Sequence, residues 1–181
     1  SEKISRFFEM IQEEIKKRRA ILSNYSGNYN LYIKTSKEKM PRLVVILNDY
    51  EVFAESYEND YDDLLLTITR EGVKCGIIFI VTASAYNSLK YRLTQNFRRK
   101  IALQLNNDDD YYNIYDKVGK MRPSHIFGRG LVSLQNDQIY EFQTAKICEA
   151  IDYNARIENT IKQLIKNNTT DALRIPTMPD K

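Results

Sequence analysis

Residues 41–53 read PRLVVILNDYEVF. Five apolar side chains in succession, Leu43 to Leu47, stop at Asn48 and Asp49. A run of this kind, entered through Pro41, fits a strand buried on both faces of a parallel sheet that delivers polar residues at its carboxyl end. A second such run, Ile77 to Val81, lies between Gly76 and Thr82-Ala83-Ser84. Between them, residues 57–71 carry Leu64, Leu65 and Ile68 at helical spacing. Strand, helix, strand predicts a parallel crossover, and ligands of such folds bind beyond the carboxyl ends of the strands. The residues that follow Leu47 and Val81 are therefore the ones to weigh for function.

Upstream, Ile4, Phe7, Phe8, Ile11, Ile15 and Leu22 recur at helical spacing and predict a long amphipathic helix. It ends near residues 24–27, where Gly27 can take a positive φ. A short second helix is expected over residues 29–34. Downstream come a helix over residues 87–96, a third strand over 100–105 and a helix capped by residues 106–110 that runs to about Lys117. A loop closes on Gly128-Arg129-Gly130. A hairpin follows, residues 131–134 and 139–142 around Gln135-Asn136-Asp137-Gln138. A last helix spans 149–166, ahead of a polar tail. No internal repeat is visible. This order predicts an α/β fold with a largely parallel sheet flanked by helices and a C-terminal β-hairpin.

The chain has 181 residues, 43% apolar and 28% charged, which is the composition of a globular domain with room for one sizeable core. A net charge of +3 is too mild to imply nucleic acid. Cys75 and Cys148 lie far apart without metal-ligand spacing and read as reduced core thiols. His125 stands alone, so no zinc site is expected. No stretch resembles a signal peptide or approaches the ~20 apolar residues of a membrane span, so this segment is not expected to insert in a membrane. Ser1-Glu2-Lys3 lacks an initiator methionine and runs straight into a helix, which reads as an excised piece.

In P-loop ATPases an apolar strand ends in an aspartate that helps hold magnesium, often followed by a glutamate that orients the attacking water. Those two places fall on Asn48 and Asp49. Asparagine brings no charge to a cation, and Asp49 is one methylene shorter than glutamate, so a nucleotide site and a plain strand end both stand as readings. The phosphate loop G-x-x-x-x-G-K-[ST] is absent: none of the six glycines starts it. The chain alone is therefore not expected to bind ATP in that manner. Ser84 sits where such ATPases sense the γ-phosphate, and an ordinary loop-capping serine is an equal reading. Arg70 would serve as an arginine finger toward a neighbouring subunit, although the residues alone favour a charge at a helix C-terminus. The basic residues 16–19 and 98–100 read as solvated rather than phosphate-binding. Thirteen tyrosines invite a stacking platform for single strands. Tyr111, Tyr112 and Tyr115 neighbour the acidic residues 108–110, however, so packing or a protein interface is preferred.

Taken together, PRLVVILNDYEVF, LTITREGVKCGIIFIVTAS, YRLTQNFRRKIALQLNNDDDY, GRGLV and IYEFQTA resemble the FtsK/SpoIIIE-type motor ATPases, and above all the EssC-like ATPases of type VII protein secretion in Firmicutes. The resemblance covers nearly the whole chain. It implies a partial RecA-like P-loop NTPase core, residues 1–166, truncated before its Walker A part, with residues 167–181 a linker toward a following module. It places the magnesium-holding acid at Asn48, the catalytic glutamate at Asp49, a nucleotide-sensing residue at Ser84 and an arginine finger at Arg70. The first three depart from the active pattern, which implies a degenerate module that couples ATP binding and partner docking to export. ATP and Mg2+ are implied for the intact module, whereas neither cofactor nor activity is expected of this chain alone. The implied partners are adjacent ATPase modules and small secreted helical substrates, at the cytosolic face of the bacterial plasma membrane. A DNA-translocating module and a non-enzymatic substrate-recognition domain are the alternatives, with nucleic acid disfavoured by the dispersed charge.

Overall fold

The computed structural model describes residues 2–57, 60–134, 138–145 and 152–168, and the described residues fall into two compact units, one up to Arg98 and one from Arg99 onward. In the first unit the two apolar runs become β1 (Leu43–Leu47) and β2 (Ile77–Val81). They pair in parallel, Leu43 opposite Ile77 through Leu47 opposite Val81. Before them stand α1 (Glu2–Leu22) and α2 (Tyr29–Thr35). The end of α1 is turned by Ser26 and Gly27, at φ 56° and 68°. The Asn28 side chain caps α2 by accepting the Leu31 N–H.

The crossover differs from the single helix expected over residues 57–71. It contains α3 (Tyr50–Ser56), which starts directly after Asp49, and α4 (Asp62–Gly72). The reason is packing: Tyr50 is buried, and Phe53 and Ala54 lie against the core, so the chain turns inward as soon as the strand ends. The helix expected over residues 87–96 is reduced to a single turn, α5 (Tyr91–Thr94).

α1 packs on α4. Phe8, Ile11, Ile15 and Leu22 share one core with Leu65, Ile68, Val45, Ile77, Leu93 and the free thiol of Cys75. The basic run at residues 16–19 is not wholly solvated, because Arg18 is only 3% exposed. Its guanidinium donates to the Glu14 carboxylate at 2.7 Å and to the Cys75 carbonyl at 3.2 Å, which ties α1 to the turn before β2.

Among the described residues, the sheet is covered on one face only. Val45 and Ile77 are buried, whereas Val44, Ile46, Ile78 and Ile80 are exposed by 50%, 64%, 37% and 45%. Successive strand residues point to opposite faces, and the described helices that share the core bury one of them. Burial on both faces, expected from the continuous apolar runs, is thus met on a single side.

In the second unit, β3 (Ile101–Ala102) is shorter than the strand expected at residues 100–105, and it does not extend a parallel sheet. It pairs antiparallel with β4 (Arg129–Ser133), which pairs antiparallel with β5 (Ile139–Gln143). The ladder stops early because the Tyr111 hydroxyl donates to the Leu103 carbonyl and accepts the Leu105 N–H, taking up groups that a longer strand would use. Tyr111 belongs to α6 (Asp110–Ile114), likewise shorter than expected.

Tyr111 and Tyr115 are buried, and the Tyr115 hydroxyl donates to the Leu131 carbonyl at 2.6 Å. Burial pushes that phenol up to about 12. The Arg122 guanidinium stands 4.7 Å over the Tyr112 ring and 5.2 Å over that of Tyr111, so these rings are already occupied as packing surfaces. α7 (Tyr153–Asn167) is capped by the Asp152 carboxylate, which accepts the Ala155 N–H at 3.0 Å. The hairpin turn at residues 135–137, Cys148 and the tail from residue 169 lie outside the described residues.

Gly76 cannot be replaced without strain. Its φ is 75°, and an added Cβ would lie 2.3 Å from the Tyr29 ring. That ring is buried, and its hydroxyl donates to the Met40 carbonyl, so it has no room to yield. Gly76→Ala should lower stability by about 3 kcal/mol, from a left-handed backbone and a clash together. A urea unfolding midpoint reads this directly, and an unshifted midpoint would show that the Tyr29 cradle is soft.

Candidate functional site

The parallel register brings the two strand ends to one edge. There the Thr82 N–H donates to the Leu47 carbonyl at 3.0 Å, and the Tyr50 N–H donates to the Thr82 carbonyl at 2.9 Å. The Thr82 hydroxyl donates to Asn48 Oδ1 at 2.9 Å and accepts the Asp49 N–H at 2.9 Å. Asn48, Asp49 and Thr82 thus form a closed ring of polar contacts across the two chains. Asp49 itself is left-handed, at φ 61° and ψ 69°. Such a conformation costs an L residue roughly 1–2 kcal/mol, although aspartate and asparagine tolerate it best. Strain of this kind clusters at functional sites.

A second tie lies further out. Glu51, in the first turn of α3, accepts on one carboxylate oxygen the Ser84 N–H at 2.6 Å, the Ala85 N–H at 3.1 Å and the Ser88 hydroxyl at 2.8 Å. Its other oxygen, Oε2, is buried. Burial pushes the Glu51 carboxyl up, but bonds from its own backbone, Ser88, Ala85 and Ser84 outweigh this and hold it at about 2. At Asp49 the balance is reversed: burial, then a hydrogen bond with Glu51 and the charges of Glu51 and Glu55, push its carboxyl up. Two neighbouring carboxyls are driven apart in acidity, the pattern that separates an ionised from a more readily protonated acid.

The structure therefore gathers Asn48, Asp49 and Ser84 at one edge, with Ser84 engaged through its backbone N–H. Arg70 is not brought to them. It lies in the last turn of α4, from which the chain turns into the start of β2, at the opposite edge of the sheet. Its guanidinium donates to the Glu71 carboxylate at 3.2 Å, which also pairs with Arg19 at 3.0 Å and Lys74 at 3.5 Å. Glu51 escaped the sequence reading because its partners lie 33 to 37 residues away. The one available signal was a carboxylate placed two residues beyond a polar strand end.

Asn48 Oδ1 accepts one hydrogen bond, from the Thr82 hydroxyl, and the amide brings no charge to a cation. Among the described residues no three His, Cys, Asp or Glu side chains converge as metal ligands.

The fold is similar to that of solved chains from type VII secretion ATPases. The chain superposes on EssC (ATPases 2 and 3) from Geobacillus thermodenitrificans with a TM-score of 0.82 and 21% identity, covering 99% of this chain and 35% of that one. In sequence it is homologous to EssC. It is 27% identical over 186 residues to the type VII secretion system protein EssC of Staphylococcus aureus, covering 99% of this chain and 12% of the relative. It is 26% identical over 141 residues to the ESX secretion system protein YukB of Bacillus subtilis, covering 77% of this chain and 9% of that protein. The chain thus spans only a small part of the curated relatives it matches. No family model matches it.

Two substitutions test the strand-end geometry. Asp49→Gly should leave the protein about 1 kcal/mol more stable than Asp49→Ala, because glycine adopts the left-handed turn at no steric cost. Equal stabilities would mean that the turn relaxes. Thr82→Val keeps the shape of the side chain and removes both hydroxyl contacts. It should cost about 1 kcal/mol in denaturant unfolding, the net worth of an ordinary hydrogen bond in a partly exposed place.

Proposed function

We propose that this chain is part of a membrane-anchored type VII secretion motor of the EssC kind. It contributes a module that hydrolyses ATP poorly and couples ATP binding and partner docking to protein export. The observation that carries this reading is the ring at the strand ends. Asn48, which brings no charge, stands where a metal-holding carboxylate would be needed, and its oxygen accepts the Thr82 hydroxyl. Asp49 is held in a left-handed turn with its carboxyl pushed up by burial and by Glu51. Loss of a charged group that stabilises the transition state is worth ~3 kcal/mol, so a module built on this edge turns over slowly.

ATP and Mg2+ belong, on this reading, to the intact module, whose phosphate loop comes from polypeptide beyond these 181 residues. The bare face of β1 and β2 supports that view, since parallel sheets are covered on both sides. Residues 1–166 act within one ATPase module and 167–181 lead toward the next. Arg70, exposed at the far edge, serves a neighbouring module rather than its own. The partners are adjacent ATPase modules and small helical export substrates, met on the cytosolic side of the membrane. No helix among the described residues is long and apolar enough to cross it.

The test is ATP turnover by the full-length protein. Asp49→Ala should leave turnover within about twofold of wild type, because the lost group stabilises little in the transition state. Brisk hydrolysis that Asp49→Ala abolishes would overturn the degenerate reading.

A further inference from the structure

Two charged contacts tie the chain after β1 to the segment after β2: the Asp62–Lys90 ion pair at the start of α4, and, nearer the strand ends, the Glu51 carboxylate. Three donors, the Ser84 and Ala85 N–H groups and the Ser88 hydroxyl, converge on its Oε1 within 2.6 to 3.1 Å. Hydrogen bonds to a carboxylate are stronger than those between neutral groups. The Ser88 hydroxyl also lies 2.6 Å from the Ala85 carbonyl, so the loop is folded upon itself around the carboxylate. Thr82, Ala83 and Ser84 are exposed, and the segment meets the apolar core only further on, at Leu89.

We infer that Glu51 is a positioning residue: its carboxylate latches residues 84–88 onto the first turn of α3 and so sets the place of the Ser84 backbone relative to Asp49. The inference rests on the reading of this edge as a nucleotide-responsive site. The inner ring through Thr82 fixes where the strands end, and the outer latch fixes where the loop begins its return. With both closed, Asp49 and Ser84 move as one body. With the latch open, the loop is released while the strands stay paired. Asp49 is the charged group beside Glu51, Glu55 acts on Asp49 in turn, and the loop's donors to Glu51 are neutral.

The experiment is hydrogen–deuterium exchange of the full-length protein, with and without a non-hydrolysable ATP analogue, for wild type, Glu51→Ala, Glu51→Gln and Glu51→Asp. Without nucleotide, Glu51→Ala should speed exchange of residues 84–88 about tenfold, as loss of a charge-assisted contact requires. Exchange of Ile77–Val81 should stay unchanged, which verifies the fold. Glu51→Gln, which keeps an acceptor but no charge, should fall between, and it decides the matter if Glu51→Ala does not fold. With the analogue, residues 84–88 of wild type should gain protection that Glu51→Ala loses and Glu51→Asp partly restores.

Unchanged exchange in both Glu51→Ala and Glu51→Gln would overturn the latch. A nucleotide response that survives Glu51→Ala intact would overturn the positioning role. If wild type gains no protection at this edge, the nucleotide reading fails, and the nucleotide-free exchange still decides whether the latch exists.

Discussion

Two strands that run side by side in the same direction must hand on their chains at the same edge of the sheet. In this protein that constraint sets Leu47 beside Val81 and leaves Asn48, Asp49 and Thr82 within bonding distance of one another. The polar ring that results is the hinge of the first unit. It accepts the strain of a left-handed Asp49, turns the chain directly into α3 and thereby aims Glu51 at the loop beyond β2. The same side-by-side pairing requires a crossover, and α4 fills it while burying Leu65 and Ile68 against α1. Site and core are thus two results of one pairing.

Much of this was legible in the residues. The apolar runs marked both strands to the residue, because polar or glycine residues begin directly where each strand ends. The turn after α1 was marked by Gly27. What escaped was decided by distant contacts. β3 was cut short by the hydroxyl of Tyr111, which no local pattern reveals. α3 was missed because its inward side chains, Tyr50 and Phe53, follow a polar strand end that reads as the start of a loop. The placing of Asn48, Asp49 and Ser84 at one edge followed from the strand order alone. Glu51 did not, since its donors belong to another stretch of the chain.

Buried polar groups bind the first unit as firmly as its apolar core selects it. Arg18 is the clearest case. A guanidinium with 3% exposure is tolerated because Glu14 and the Cys75 carbonyl both receive its donors. Taking away one partner of a buried ion pair is far costlier than never burying it. The turn before β2 is therefore held from two sides, by Arg18 at Cys75 and by the Tyr29 ring against Gly76. This double grip lies at the opposite end of the sheet from the strand-end ring, so the strands are fixed at both of their ends.

The uncovered strip of Val44, Ile46, Ile78 and Ile80 carries a consequence for how such a chain comes to be folded. An apolar strip of this sort joins whatever suitable surface reaches it first. A cover carried on the same polypeptide presents itself at an effective concentration in the millimolar range, set by the length of the tether. It therefore outpaces collisions between separate molecules, which bring about aggregation of partly covered chains at far lower concentrations. Supplied as a separate piece, the same cover would enter that race without a head start. Covalent continuity would then serve this sheet as a chaperone does, by timing rather than by added contact.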